Sequence, residues 1–343
     1  MPKTKTYRGF FMLIAVCLAL VFILNLSLGS VAIPFKDTLA ILFGGEAAKP
    51  AWEFIVMDYR LPKALTAIWV GGGLGVSGLL MQTLFRNPLA GPFVLGISSG
   101  ASLGVAFLIL GAGAFGGAIA VIAKQTWSLV IAASIGSFLV LLAVLAVSLR
   151  VKDTMALLII GLMFGSITAA VVAVLAYFSP AEQLQRYVFW SFGSLGSLSW
   201  NGVLVLSLCC ITGLLLSIRA IKPLNALLLG EEYAASVGVQ LKKNTLLIIF
   251  TTCIFAGSIT AFAGPIAFVG LAVPHIARQW IQSADHKVLL PAIFIVGAII
   301  MLVCDSIAQL PTLDYTLPIN AITSLFGAPI VIWLLIRKRK LFF

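Results

Sequence analysis

Long apolar runs alternate with short polar breaks along the whole chain. A helix needs about 20 apolar residues to cross the hydrocarbon core of a bilayer. On that length the pattern predicts ten spans, at roughly 8–28, 62–84, 94–112, 127–149, 154–177, 201–220, 243–263, 266–282, 288–309 and 321–337. The predicted fold is an all-α membrane protein of about ten transmembrane helices, in a single domain over 1–343.

One polar island interrupts this pattern, from Lys222 to Lys243 (KPLNALLLGEEYAASVGVQLKK). Asn225 is placed to cap a short helix through Leu229, and Gly230 breaks it. Glu231 and Glu232 fall in the first turn of a second short helix, where carboxylates suit the dipole. Gly238 is placed to end that helix in the left-handed conformation. Two short helices at an angle are expected, either as an ordinary surface loop or as a knob for a soluble partner.

Composition agrees with a membrane chain: 61% of the 343 residues are hydrophobic and 10% charged, which excludes a water-soluble domain. The net charge of +11 sits between the apolar runs, so it is read by the rule for membrane loops rather than as a nucleic-acid surface. An even number of spans puts both termini on one side. With the termini inside, 16 basic residues fall in the cytoplasm, among them Arg86, Arg278 and the tail Arg337 to Lys340, and six fall outside. That asymmetry orients the chain and places the polar island in the cytoplasm. Lys3, Lys5 and Arg8 ahead of Phe10–Leu28 mimic a signal peptide, but the run is long and nine spans follow, so an uncleaved first helix is expected.

Cys17, Cys209, Cys210, Cys253 and Cys304 all lie in apolar runs without a C-x-x-C pair, and His275 and His286 are far apart. Packing is the expected role of the cysteines, and no metal site is expected. No G-x-x-x-x-G-K-[ST] loop is present, so this chain has no phosphate-binding loop of that kind.

The outer loop from Gly29 to Leu61 ends in Arg60-Leu61-Pro62-Lys63. Arg60 and Lys63 go against the inside bias, either as snorkelling side chains or as cations offered to an acidic partner. Small residues recur at helix-packing spacing in Gly71/Gly75, Gly100/Gly104 and Gly161/Gly165, and close helix packing explains each pair. Pro88 and Pro92 end span 2 beyond Gln82 and Asn87. Span 3 opens with Ser98 and Ser99, and Gly264-Pro265 turns the chain back into span 8. Irregular polar backbone at membrane depth is tolerated where protein or a water-filled cavity lines it, so these segments are either path walls or tight turns. Asp305 lies 17 residues beyond Val288, about 26 Å along a helix and so near the outer interface.

Taken together, these segments resemble the FecCD family, the permease subunits of type II ABC importers for iron–siderophore complexes, haem and vitamin B12. The matching stretches are Arg60 to Lys63, Gln82 to Ala90, Leu95 to Ala101, Leu229 to Val239, Gly264 to Arg278 and Leu325 to Pro329. The resemblance implies a vitamin B12-permease-like fold and a homodimer with the translocation path between the two copies. It implies two cytoplasmic ATP-binding subunits, which carry the ATP and Mg, and a periplasmic or lipid-anchored binding protein outside. No cofactor or metal is implied on this chain itself, nor any nucleic acid, and the location implied is the bacterial inner membrane.

On the same resemblance, the segment at about 222–242 is the coupling hairpin. Leu229, Gly230, Glu231, Glu232, Ala235 and Gly238 would meet the ATPase, with Arg278 bracing them. Arg60 and Lys63 would dock the binding protein, with Lys63 where the family often has Arg. Gln82, Asn87, Ser98, Ser99, Gly264 and Pro265 would line the path. Two departures stand out: Gln309 replaces an Arg common after the span-nine Asp, and Thr316-Leu317-Pro318-Ile319-Asn320 replaces Glu-Leu-Pro-Val-Gly. Ferric siderophore is the first substrate expected, then haem or cobalamin. An ion-coupled transporter would require mid-membrane ionisable groups and inverted repeats, and a membrane enzyme a catalytic constellation. The sequence displays none of these.

Overall fold

The computed structural model describes residues 4–111, 126–148, 150–151, 154–309 and 316–336. Lys3, Lys124, Lys152 and the tail Arg337 to Lys340, counted in the charge balance, lie outside these residues. The N-terminal run forms α1 (Thr4–Ser27), and the outer loop holds α2 (Phe35–Leu42) and α3 (Pro50–Phe54). A π-helical segment, Ile55–Arg60, joins α3 directly to α4 (Leu61–Leu84), so the backbone is helical from Pro50 to Leu84. Pro62 therefore sits inside a longer helix than the sequence predicts. Its missing N–H costs one backbone bond, and the widened π turn lies just upstream of it.

After a 3₁₀ turn at Pro92–Leu95 come α5 (Ile97–Ile109), α6 (Thr126–Ser148), α7 (Thr154–Tyr177) and the outer helix α8 (Ala181–Ser191). Then follow α9 (Trp200–Leu227), the short α10 (Glu231–Ser236), α11 (Leu241–Ala263), α12 (Val269–Ile281), α13 (His286–Ala308) and α14 (Ile319–Ile336).

Helices stand at all ten predicted span positions, but they are not equal. Among the described residues, seven are long and apolar enough to cross a membrane. α5 and Ile319–Trp333 are shorter apolar helices, and α12 has 13 residues, about 20 Å of rise against a core of about 30 Å. Pro92 and Gly96 hold back the start of α5. Gly264 to Phe268 do the same for α12, with Phe268 itself left-handed.

α4 is the centre. It packs against α9, α11, α12 and α13, while α1 lies on α13 and α14 on α12 and α13. α5, α6 and α7 form a second group joined to the first through α11. Burial separates centre from edge: 83% of the most apolar window of the α4 helix is inside, against 17% for α1 and for α7. The outer faces of α1 and α7 expose Met12, Leu13, Val16, Ile159, Met163 and Ile167. Such faces belong against lipid or another membrane protein.

Glycines set the helix spacing. A Cβ built on Gly71 would lie 2.1 Å from the Gly297 carbonyl oxygen, and one on Gly78 1.6 Å from that of Gly270. Gly100 and Gly136 stand in the same relation across α5 and α6. Backbones touch at these crossings, which is how membrane helices gain contact without a hydrophobic driving force between them.

Candidate functional site

The polar island folds differently from the sequence expectation in its first half. α9 runs unbroken through Pro223 and Asn225 to Leu227, so Asn225 caps no separate helix and one short helix replaces two. The second half is as predicted. Gly230 (φ +108) precedes α10, Glu231 and Glu232 occupy its first turn, and Gly238 (φ +87) follows its end. The Gly238 N–H bonds the Ala235 carbonyl at 3.0 Å and the Val239 N–H that of Ala234 at 2.9 Å. This is a Schellman closure, which uses the left-handed residue that glycine tolerates.

Ala234 is fully buried in the main core and anchors the hairpin. Leu229, Tyr233 and Val237 are 65%, 48% and 54% exposed; Tyr233 and Val237, four residues apart, share one outward apolar face of α10, and Leu229 stands exposed just ahead of the break at Gly230. Glu232, Ala235 and Gly238 are exposed beside them, and Glu231 is half-buried. The sequence reading named Leu229 and missed Tyr233 and Val237, whose signal was that spacing. A Cβ on Gly230 would meet the Arg86 guanidinium at 3.9 Å, so the loop after α4 lies against the hairpin.

A polar network that runs from the surface at Asp285 to the buried Thr83 ties the root of the hairpin to the bundle. Asn225 Nδ2 donates to Asp285 Oδ1 at 2.7 Å, and this fixes its amide orientation. Asn225 Oδ1 then accepts from the His286 backbone N–H at 2.9 Å and from its Nδ1–H at 2.6 Å. An amide oxygen only accepts, so Nδ1 carries a proton. On the far side of the ring, Nε2 lies 2.9 Å from Thr83 Oγ1. Asp285 also caps α13 through the Lys287 N–H at 2.9 Å.

Arg278, expected to brace the hairpin, has its Nη1 on Gln82 Oε1 at 3.3 Å, and Gln82 Nε2 donates to the Leu271 carbonyl at 3.2 Å. His275 Nε2 reaches the Pro88 carbonyl at 2.8 Å. This brace therefore grips the inner end of α4 and its loop.

The six expected path residues do not meet in one site. Gln82 is buried in that brace, and Asn87 Oδ1 closes the loop by accepting from the Leu89 N–H at 2.9 Å. Ser98 joins Thr260 across α5 and α11 at 3.1 Å, and Ser99 faces Gly165. Gly264 (φ +75) leaves room for nothing larger, since its Cβ would meet the Trp190 carbonyl at 2.8 Å. Pro265 follows, and Asn320 holds the turn through Ala267 N–H at 3.0 Å. None of the six lines the outer cleft or the inner pocket described below. Their packing roles are visible within one copy.

Arg60 and Lys63, the expected docking cations, are both engaged within the chain. Arg60 is 7% exposed. Its Nη1 donates to the carbonyls of Leu26 (2.7 Å) and Ser27 (3.0 Å), and its Nη2 to that of Val31. The guanidinium thus caps the last turn of α1. Lys63 Nζ pairs with Asp305 Oδ1 at 3.0 Å, and Asn25 and Gln309 donate to Oδ2 of the same carboxylate. Asp305 lies near the end of α13, four residues from Gln309, and is fully buried. Gln309, where a cation was missed, instead completes its shell.

A cleft of about 780 Å³ opens beside this cluster, walled by Tyr59, Lys63, Phe189, Phe192, Ser197 and Gln309 among others. A smaller pocket of about 280 Å³ lies on the inner side between Leu84, Ser148, Glu231, Lys242 and Thr245. Among the described residues, no three His, Cys, Asp or Glu side chains gather as a metal-binding group.

Comparison with known proteins agrees with this geometry. The FecCD transport family model matches residues 17–337. The hemin transport system permease protein HmuU of Yersinia pestis is 35% identical over 98% of this chain and 97% of its own length. The vitamin B12 import system permease protein BtuC of Klebsiella pneumoniae is 37% identical over 86% of each chain. An inward-facing structure of a protein proposed to be a metal-chelate type ABC transporter superposes with a TM-score of 0.83 at 28% identity, covering 98% of this chain and 100% of that one. The chain belongs to the FecCD transport family, the permease subunits of type II ABC importers.

Proposed function

We propose that this chain is the membrane subunit of an importer that carries a metal chelate into the cytoplasm, driven by ATP hydrolysis on partner chains. The observation that carries the reading is the hairpin: an anchored, Schellman-closed helix that turns Leu229, Tyr233 and Val237 outward beside Glu232. A soluble ATPase docked there would bury that face. Two copies of the chain would enclose the path, and the exposed faces of α7 and its neighbours are the apolar surface available for pairing and for lipid. The charge asymmetry between loops supports cytoplasmic termini in the bacterial inner membrane, and the cleft beside Lys63 and Asp305 would then be open to a binding protein outside.

Relatives named for hemin and vitamin B12 support haem or cobalamin as cargo, beside a ferric siderophore. The test is reconstitution in liposomes with the ATPase and the binding protein, followed by uptake of labelled haem, cobalamin and ferric siderophore. Uptake of one of them that requires ATP hydrolysis is expected. Uptake that persists without ATP and follows an ion gradient would overturn the reading.

A further inference from the structure

α4 and α13 run antiparallel and are locked at both ends. Outside, Lys63 pairs with Asp305 at 3.0 Å; inside, Thr83 meets His286 at 2.9 Å. Lys63 and Thr83 are 20 residues apart in α4 (63 to 83), and His286 and Asp305 are 19 apart in α13 (286 to 305). At the helical rise these are about 30 and about 28 Å, the thickness of the hydrocarbon core. Between the locks, Gly71 and Gly297 bring the two backbones into contact, and each lies eight residues from the outer lock (63 to 71, 297 to 305). Two polar locks and a backbone contact leave little freedom for one helix to slide on the other.

The inner lock is also where the hairpin joins. Asn225 stands five residues ahead of Gly230 and makes three hydrogen bonds to Asp285 and His286. His286 is fully buried and Thr83 is 1% exposed, so the contact between them is shielded from competition with water.

We infer that α4 and α13 act as one rigid strut across the membrane, and that the Asn225–His286–Thr83 contact carries displacement of the hairpin into that strut and out to Lys63 and Asp305. His286 is then a positioning residue: it touches no cargo but sets how faithfully the outer face follows the inner one. The inference rests on the proposal that an ATPase docks on the hairpin. Helix capping alone would account for Asp285, but not for the ring bridging Asn225 to Thr83.

The experiment uses the assembled complex of permease, ATPase and binding protein, with the five native cysteines replaced by alanine. Spin labels are placed at Ser236 on the hairpin or at Ser197 beside the outer cleft, both exposed, and distances between copies are read with and without ATP and vanadate. In the parent complex both distances change with nucleotide. In Thr83→Val, which keeps the shape and removes the hydroxyl, the change at Ser236 remains and the change at Ser197 falls at least about threefold. Thr83→Ser restores it. Asn225→Ala gives the same split, and combining it with Thr83→Val adds little, because both cut one connection. An outer change that survives in both variants would overturn the strut. A parent complex in which neither distance moves would show that the docking proposal itself fails, and the inference with it.

Discussion

Gly71 and Gly297 face each other where α4 crosses α13, each so near the other's carbonyl that an added Cβ would lie 2.1 and 2.2 Å from the oxygen. Backbone cannot move aside as a side-chain tip can. Gly71→Ala is therefore expected to lose about 3 kcal/mol of stability. Gly91, where a Cβ would meet nothing within 4 Å, is the control, and Gly91→Ala should stay within about 0.5 kcal/mol. Thermal unfolding in detergent separates the two.

Lys63 and Asp305 make the outer lock. Lys63→Met leaves a buried carboxylate held only by Asn25, Gln309 and its neighbours, and should cost about 3 kcal/mol. Adding Asp305→Leu removes the stranded charge, and at least half of the loss should return. A double variant as unstable as the single one would mean that the pair is incidental. The same unfolding measurement reads it.

Arg60 spans three carbonyls at the end of α1. Lysine keeps the charge and loses the fork. Arg60→Lys should cost about 2 kcal/mol, and amide exchange should rise over Leu26 to Ile33 while the inner ends of α4 and α13 stay protected. Uniform exchange across the chain would contradict a local cap.

Asp285 reports on pH. Burial pushes its carboxyl up, but the Lys287 N–H, the Asn225 amide and the charges of Lys287 and His286 outweigh it, and the group sits below the usual carboxylate range. A depressed native value stabilises the fold above the unfolded value of about 3.9, and that stability is lost as pH falls through the native value. Asp285→Ala should cost about 1 kcal/mol at pH 7 as a lost cap. The gap between parent and variant should stay constant from pH 7 to about pH 5 and close only in stronger acid. Unfolding midpoints across that range check the sign.

The helices were legible because each needs only its own apolar run, and Gly238 was legible because a helix end needs only its own left-handed residue. What failed depended on distant partners. Asn225 looked like a cap from its neighbours, yet its partners are Asp285 and His286, some 60 residues on. The partners of Arg60, the carbonyls at the end of α1, lie some 30 residues away and leave no local signal. Of the expected path residues, Gln82, Ser98 and Gly264 make close contacts within the chain that no local pattern shows.

An ATPase seated on the Gly230–Gly238 hairpin should co-purify with the chain through that hairpin. The tagged chain is expressed with its ATPase and compared with Tyr233→Arg and Leu229→Glu, two exposed positions whose substitution leaves the fold intact. The ATPase should be retained by the parent chain and fall at least about tenfold with either variant, at unchanged melting temperature. Retention of the ATPase by both folded variants would contradict it.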